Sequence, residues 1–221
     1  MKNTKLAFSM TLVISVLCAI GFGLIALYVG NTKIQNFDNT IISLVQGLEV
    51  PLLTTIMKFF TVIGNTIPIV IITIMVMIVL YIFLGHRREL IFLVCVMIGS
   101  ALLNTLLKLI FQRARPDINR IIEVKGYSFP SGHSMAAFTL YGVIAFLIWK
   151  HIPTAIGRVA IIIMSVLFIT FIGISRIYLG VHYPSDILGG YLMSACWLTG
   201  SIWVYQRYLE RLKRTRSTHS E

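Results

Sequence analysis

The stretch Leu90–Leu107 reads LIFLVCVMIGSALLNTLL and carries no charged residue. About 20 apolar residues in a helix suffice to cross the hydrocarbon core of a bilayer, which is roughly 30 Å thick. Five further stretches approach that length: Leu6–Val29, Ile67–Leu84, Ser134–Trp149, Ile156–Ile174 and Ile187–Tyr205. The sequence therefore predicts an all-α fold, an integral membrane bundle of six transmembrane helices.

The composition of the 221-residue chain agrees with this fold class. Apolar residues make up 57% of the chain and charged residues 12%, whereas soluble domains average about 45–50% and 25%. The cysteines at positions 18, 95 and 196 lie inside apolar stretches, so they indicate packing residues rather than a disulfide framework or a zinc site. We interpret residues 1–221 as a single membrane-embedded domain.

The stretch Phe37–Gly64 is apolar but is broken by Gly47, Glu49 and Pro51, so it does not suit another span. We predict short interfacial helices here, between the first and second spans. Two interpretations of this segment stay open, part of a lipid entrance and a plain connecting cap. The first span, Leu6–Val29, is expected to remain as an uncleaved helix, because its apolar run is too long for a signal-peptide core.

The basic residues predict the orientation of the chain in the membrane. The formal net charge is +11, and residues 206–221 form a basic tail after the last apolar stretch. Cytoplasmic loops collect Lys and Arg, so we expect a cytoplasmic tail that contacts anionic headgroups and does not bind nucleic acid. Six spans then place both termini in the cytoplasm, together with eleven of the nineteen Lys and Arg residues.

Three polar motifs interrupt the apolar chain, and the predicted topology places all of them on the extracytoplasmic face. They are K-x6-R-P at residues 108–116, P-S-G-H at residues 130–133 and S-R-x5-H-x3-D at residues 175–186. Charge at the edge of a membrane is costly and is usually retained for function. Together the motifs supply cations, two histidines, a hydroxyl and a carboxylate, which suits binding of a phosphate and attack on its phosphorus.

The first two motifs are candidates for anion binding. Lys108 and Arg115 lie where Pro116 stops the third span, although long basic side chains at a helix end also snorkel to headgroups. We interpret the neighbouring Arg113 and Arg120 in that second way. The turn before the fourth span places backbone N–H groups at a helix N-terminus, where anions bind; the structural alternative for its serine is a simple N-cap.

The third motif is a candidate for catalysis. His182 and Asp186 lie four residues apart, a spacing that brings an imidazole to a carboxylate over one helical turn. A carboxylate that accepts from one ring N–H raises the nucleophilicity of the other nitrogen. An Asp-capped helix beside an interfacial histidine is the structural alternative. All three alternatives would have to hold independently on one face of the membrane, so we favour a phosphatase.

The three motifs resemble, without a substitution, the signature of the type 2 phosphatidic acid phosphatase superfamily, the lipid phosphate phosphatases. The resemblance covers residues 108–186 directly, and the six-span topology is similar to bacterial membrane members of the family across the whole chain. It implies a metal-independent lipid phosphatase without a cofactor, which acts at the extracytoplasmic face through a phosphohistidine intermediate.

The resemblance also implies a role for each motif residue. His182 is the nucleophile, Asp186 orients it, and His133 donates a proton to the leaving group. The side chains and backbone that hold the phosphate oxygens are Lys108, Arg115, Ser131, Gly132 and Arg176. Because phosphoryl transfer rests mainly on positioning and on stabilising charge at these oxygens, the cationic side chains replace a metal.

Several substrates and functions remain open after the sequence. Undecaprenyl diphosphate and phosphatidylglycerol phosphate are the substrates that the bacterial members suggest, and phosphatidic acid is the alternative. A non-catalytic lipid-phosphate-binding or transport protein is a second function class, and the soluble vanadium haloperoxidases, which share the anion-binding motifs, are a third. The expected partners are a lipid phosphate substrate and the bilayer, with no obligate protein partner.

Overall fold

The computed structural model describes residues 2–82, 85, 87–117 and 119–218, and this part of the chain forms eight α-helices without a strand. The helices are α1 (Lys2–Tyr28), α2 (Thr32–Gln46), α3 (Pro51–Ile63), α4 (Thr66–Ile82), α5 (Arg87–Phe111), α6 (Gly132–Trp149), α7 (Ala155–Tyr178) and α8 (Pro184–Thr218). The predicted all-α membrane fold is confirmed.

The spans follow the predicted order. Helices α1, α5, α6, α7 and α8 are long and apolar enough to cross a membrane. Helix α4 is apolar and has 17 residues, which gives a length of about 26 Å; residues 83 and 84, which the prediction included in this span, lie outside the described residues. With α4 as the second span, the bundle has the six predicted spans.

Two helices end later in the chain than the sequence predicted. Helix α5 continues to Phe111, so Lys108 lies in its last turn, and the chain leaves the helix at Gln112 with a left-handed backbone (φ 43°). Helix α8 continues through the basic tail to Thr218. The tail therefore extends the last span as one helix.

Helices α2 and α3 are the short helices predicted between the first and second spans. Their axes meet at 120°. Asn31 caps α2 by accepting a hydrogen bond from the backbone nitrogen of Lys33 at 3.0 Å, and α3 starts at Pro51, which has no N–H to leave unpaired. Helix α3 packs on α7, and α2 packs on both α7 and α8. The pair therefore covers the helix ends that carry the third motif.

The core of the bundle lies between α4, α5, α6 and α8. Its buried residues include Leu80, Leu93, Val143 and Leu198. Helix α5 approaches α8 closely at Gly99, because a Cβ atom there would lie 2.1 Å from the ring of Trp197. This packing holds α5 against α8 in the middle of the bundle.

Candidate active site

The three sequence motifs meet at one end of the bundle, where α5 and α7 finish and α6 and α8 begin. The backbone nitrogen of Ser131 donates to the carbonyl of Asp186 at 3.1 Å, and that of His182 donates to the carbonyl of Arg176 at 3.3 Å. The guanidinium of Arg115 donates to the carbonyl of Val181 at 2.8 Å. Backbone and side-chain contacts thus join residues of different motifs that lie up to 66 positions apart.

His182 and Asp186 make the contact that their spacing predicted. The Nδ1 atom of His182 lies 3.2 Å from Oδ2 of Asp186, and its Nε2 atom lies 3.1 Å from Nη1 of Arg115. A guanidinium can only donate hydrogen bonds, so Nε2 must accept and the ring proton must sit on Nδ1, where Asp186 accepts it. The two partners therefore fix one neutral tautomer with a lone pair on Nε2.

His182 lies in the short loop between α7 and α8 and is 2% exposed. Burial lowers the pKa of His182 to about 4; the hydrogen bond and charge of Asp186 act in the opposite direction, and the charges of Arg176 and Arg115 add to the lowering. Protonation would also turn Nε2 into a donor that faces the donor Arg115. The ring is therefore neutral at pH 7 and gains its proton only on strong acidification.

The carboxylate of Asp186 is fully buried and is held by more than the histidine. The backbone nitrogen of Tyr183 donates to Oδ2 at 2.9 Å, the hydroxyl of Ser128 donates to the same oxygen, and Arg113 donates to Oδ1 at 2.7 Å. Several converging donors stabilise the ionised carboxylate and fix its orientation.

The interpretation of Arg113 as a side chain that snorkels to headgroups is wrong. Its side chain is only 9% exposed and bridges Asp186 to a second buried carboxylate, Asp38 of α2, at 2.8 Å. Two buried carboxylates require a cation between them, and Asp38 lies too far away in the sequence for spacing to indicate it. Arg120, by contrast, is 36% exposed and lies 3.6 Å from the exposed Asp117, which agrees with a surface role.

Lys108 and Arg115 lie side by side because they share an acceptor. The Nζ atom of Lys108 donates to the carbonyl of Tyr127 at 2.9 Å, and Nη2 of Arg115 donates to the same oxygen at 3.3 Å. Arg115 also donates from Nε to the carbonyl of Gly126 at 2.9 Å. Two cations held next to each other favour an anion between or beside them.

Arg176, at the end of α7, is the most buried cation of the motifs, with 2% exposure. Its Nη1 atom donates to the hydroxyl of Thr61 in α3, whereas its buried Nε atom has no hydrogen-bond partner among the described residues. A buried charged donor is costly unless it is paired. This Nε group is therefore a candidate donor for a bound anion.

The P-S-G-H motif forms the start of α6. Ser131 is the N-cap, and its hydroxyl accepts from the backbone nitrogen of Ser134 at 3.4 Å; the helix begins at Gly132, two residues before the predicted start. Asn104 of α5 donates to the carbonyl of Pro130 at 3.3 Å, and a Cβ atom on Gly132 would lie 3.0 Å from its Oδ1 atom. The glycine permits this close approach.

His133, in the first turn of α6, contacts the turn between α3 and α4. Its Nε2 atom lies 2.7 Å from Oδ1 of Asn65, an acceptor, so Nε2 carries a proton in this arrangement. Lys108, Arg115, Arg176 and His182 all lie near enough to the imidazole of His133 to act on it electrostatically. The structure thus brings all eight predicted site residues into one region.

A cavity of about 470 Å³ adjoins this region between α4, α5 and α6. It reaches Gly132 and His133 at one end, and most of its wall is apolar, with Ile69, Val94 and Ile98 among the lining residues. Within the ranges that the structure describes, no three His, Cys, Asp or Glu side chains converge as ligands for a metal ion.

The sequence reasoning missed six polar side chains that hold the motif residues. They are Asp38, Thr61, Asn65, Asn104, Arg113 and Ser128. Only Asp38 had a local signal: it lies four positions before Ile42 and shares its buried face of α2, so a carboxylate stands on the packed side of an amphipathic helix.

Comparison with known proteins places these features in a family. A sequence profile described as the PAP2 superfamily matches residues 88–210. The chain is 37% identical over 116 residues to phosphatidylglycerophosphatase B of Bacillus subtilis strain 168, which covers 52% of this chain and 55% of that protein. It is 39% identical over 88 residues to the putative undecaprenyl-diphosphatase YbjG of Escherichia coli K12, covering 36% and 40%. The matches span about half the length of these relatives.

The fold is also similar to a solved structure. The crystal structure of a transmembrane PAP2-type phosphatidylglycerolphosphate phosphatase from Bacillus subtilis superposes with a TM-score of 0.81 at 28% sequence identity. The superposition covers 90% of this chain and 98% of that one. The similarity therefore extends beyond the matched motifs to nearly the whole bundle.

Proposed function

Because the chain belongs to the PAP2 superfamily, we propose that it is a membrane phosphatase that hydrolyses a lipid phosphate or diphosphate. The single observation that carries this proposal is the neutral His182, whose Nε2 lone pair accepts from Arg115 while Asp186 holds the opposite nitrogen. Pure binding of a phosphate needs cations but no oriented nucleophile. A non-catalytic binding or transport protein is therefore the weaker candidate.

The first step is attack of His182 on the phosphorus. The phosphate oxygens replace Nε2 as acceptors of Arg115 and take the Nε donor of Arg176, and Lys108 completes the cationic side of the site. The Nε2–P bond forms, the P–O bond to the lipid breaks, and Asp186 stabilises the phosphohistidine cation. In the second step water cleaves the N–P bond and releases phosphate.

His133 supplies and recovers the proton of this reaction. Its Nε2 proton points at Oδ1 of Asn65, so the leaving oxygen of the lipid would take the place of that acceptor. His133 must be protonated for the first step and then serves as base for the attacking water. The two histidines therefore start in opposite protonation states.

The substrates we propose are undecaprenyl diphosphate and phosphatidylglycerol phosphate, with phosphatidic acid as the alternative. The apolar cavity that reaches His133 supports a lipid chain that approaches from between α4 and α5. Membrane-spanning helices disfavour the soluble haloperoxidase alternative. Turnover rates of the three lipids, measured in one detergent, test this ranking; release of phosphate from none of them would contradict the phosphatase function itself.

We expect the activity to survive EDTA and to be inhibited by vanadate. The charges of Lys108, Arg115 and Arg176 take the electrostatic role of a metal, and vanadate mimics the five-coordinate phosphorus. Phosphate release by the purified protein, with and without each reagent, is the measurement. Complete loss on chelation that Mg²⁺ restores would contradict the metal-independent mechanism.

We also propose that the site faces the extracytoplasmic side and that the tail lies in the cytoplasm. In a chain whose three native cysteines are replaced by alanine, Lys125→Cys and Ser217→Cys are labelled separately on intact cells with a membrane-impermeant thiol reagent. We expect label on position 125 and protection at position 217, because the loop at 125 adjoins the site. The reverse pattern would invert the topology.

A further inference from the structure

A buried ionic network connects helix α2 to the catalytic pair. Asp38 is fully buried, and every polar atom of its carboxylate has a partner: Oδ1 accepts from the backbone nitrogen of Ser185 at 2.9 Å, and Oδ2 accepts from the hydroxyl of Ser185 at 2.7 Å and from Arg113 at 2.8 Å. We call Asp38, Arg113 and Asp186 the carboxylate–guanidinium network.

The guanidinium of Arg113 is fixed at the centre of this network. Nη1 donates to Asp186 at 2.7 Å and to the hydroxyl of Ser185 at 2.8 Å, while Nη2 reaches Asp38. The ring of Tyr183 lies 4.0 Å from the guanidinium carbon, which adds a cation–π contact. A planar fork with five donors suits this bridge, and the ammonium of a lysine does not.

We propose that Asp38 and Arg113 are positioning residues for the proposed reaction: they fix Asp186 against His182 and set the net charge beside that imidazole. The role rests on the proposed function only in that His182 is the nucleophile. Arg113 orients the carboxylate oxygen opposite the one that holds His182. Asp38 offsets the charge of Arg113, so that the negative charge of Asp186 acts on the imidazole undiminished.

The charged and titratable groups that face His182 come from six places in the fold. Asp186 on α8, Arg115 after α5, Arg176 on α7 and His133 on α6 act on His182 directly. Arg113 after α5 acts through its contact with Asp186, Asp38 on α2 acts through its contact with Arg113, and Lys108 on α5 lies beside Arg115 and Asp186. Removing one charge from the network changes this balance in a known direction. Asp38→Asn leaves Arg113 with Asp186 as its carboxylate partner, so the net charge near His182 becomes more positive and protonation of His182 is disfavoured. Arg113→Gln leaves two buried carboxylates without the cation between them and favours protonation of His182.

The test measures the protonation of His182 directly by ¹⁵N-histidine NMR of the full chain in detergent. The signal of His182 is assigned as the one that is missing from the spectrum of the His182→Ala protein. In the Arg113→Gln protein we expect the pH at which half of His182 is protonated, its titration midpoint, to rise by on the order of one pH unit. In the Asp38→Asn protein the ring is expected to stay neutral to a lower pH than in the wild type. Asp117→Asn, the same change at an exposed carboxylate, is the control and should shift nothing.

The activity of the same variants separates positioning from substrate binding. With an aryl phosphate as substrate we expect Asp38→Asn and Arg113→Gln each to lower kcat by about tenfold or more, with KM close to that of the wild type. Arg113→Lys keeps the charge but loses the fork, so its His182 midpoint should stay near the wild-type value while its kcat falls. If these variants lost activity through a higher KM and kept the wild-type kcat, the proposal would be overturned.

The double variant Asp38→Asn/Arg113→Gln covers the case in which a single variant does not fold, because it removes one positive and one negative charge together and leaves Asp186 with the hydrogen bonds from Tyr183 and Ser128. It restores the wild-type sum of charges beside His182, so its midpoint is expected to return to within about half a pH unit of the wild type while kcat stays low. Wild-type kcat in the double variant, or an upward shift in Asp38→Asn, would overturn the proposal. The NMR readout needs no substrate, so an inert wild-type protein would contradict the proposed function alone.

Discussion

Replacing His182 by alanine is expected to abolish turnover of every phosphorylated lipid while the site still binds phosphate or vanadate. The change removes the attacking nitrogen but leaves Lys108, Arg115 and Arg176 in place to hold the phosphate oxygens. Loss of a nucleophile removes the reaction route itself, so we expect a fall in kcat of about 10⁴-fold or more. Phosphate release and ligand binding, measured on one preparation, check both halves of this prediction.

His151→Ala is the matched control for that variant. His151 is an exposed histidine in the loop between α6 and α7, at the opposite end of the bundle from the site, so the alanine protein should keep wild-type kcat. If the His182 variant retained measurable turnover at a wild-type rate, the nucleophile would have to be another residue.

Replacing His133 by alanine is expected to leave attack possible and to impair departure of the leaving group. Loss of one general acid costs about 10²–10⁴-fold in rate. The loss should be greatest for a poor leaving group such as the diacylglycerol of phosphatidic acid. A substrate with an acidic phenol as leaving group needs little protonation, so it should recover part of the rate in the His133 variant and none in the His182 variant.

The comparison of the two histidine variants is decisive because each serves as the reference for the other. Both proteins must elute as folded species and bind vanadate before their rates are compared. Equal losses in the two variants, with no recovery on the acidic phenol substrate, would show that the roles assigned to His182 and His133 are wrong.

Hydropathy and local spacing were enough to predict the spans and one contact of the site. Six apolar stretches were found because a membrane core imposes a minimum length on any crossing helix. The contact of His182 with Asp186 was found because four residues make about one helical turn. Both features depend on residues that are close together in the sequence.

The remaining contacts of the site depend on packing that local sequence does not encode. Arg113 was assigned to the headgroups because a basic residue after a span usually lies there. Its buried carboxylate partner, Asp38, is 75 positions away in the sequence. Thr61 lies in the segment Phe37–Gly64, whose role was left open between a lipid entrance and a connecting cap, and Asn65 follows directly after it. Only the packing of α2 and α3 on α7 and α8 brings these side chains to the motifs.

Three of the six side chains that hold the reactive groups lie outside the part of the chain that carries those groups. Asp38, Thr61 and Asn65 lie before residue 88, where the family match begins, while His133, Arg176, His182 and Asp186 all lie within it. A segment exchange between two members of the family at that boundary would therefore transfer every signature residue with three of its supports and leave the other three behind. The activity of such a chimaera would depend on how well the segment before residue 88 from one parent makes these contacts with the catalytic segment from the other.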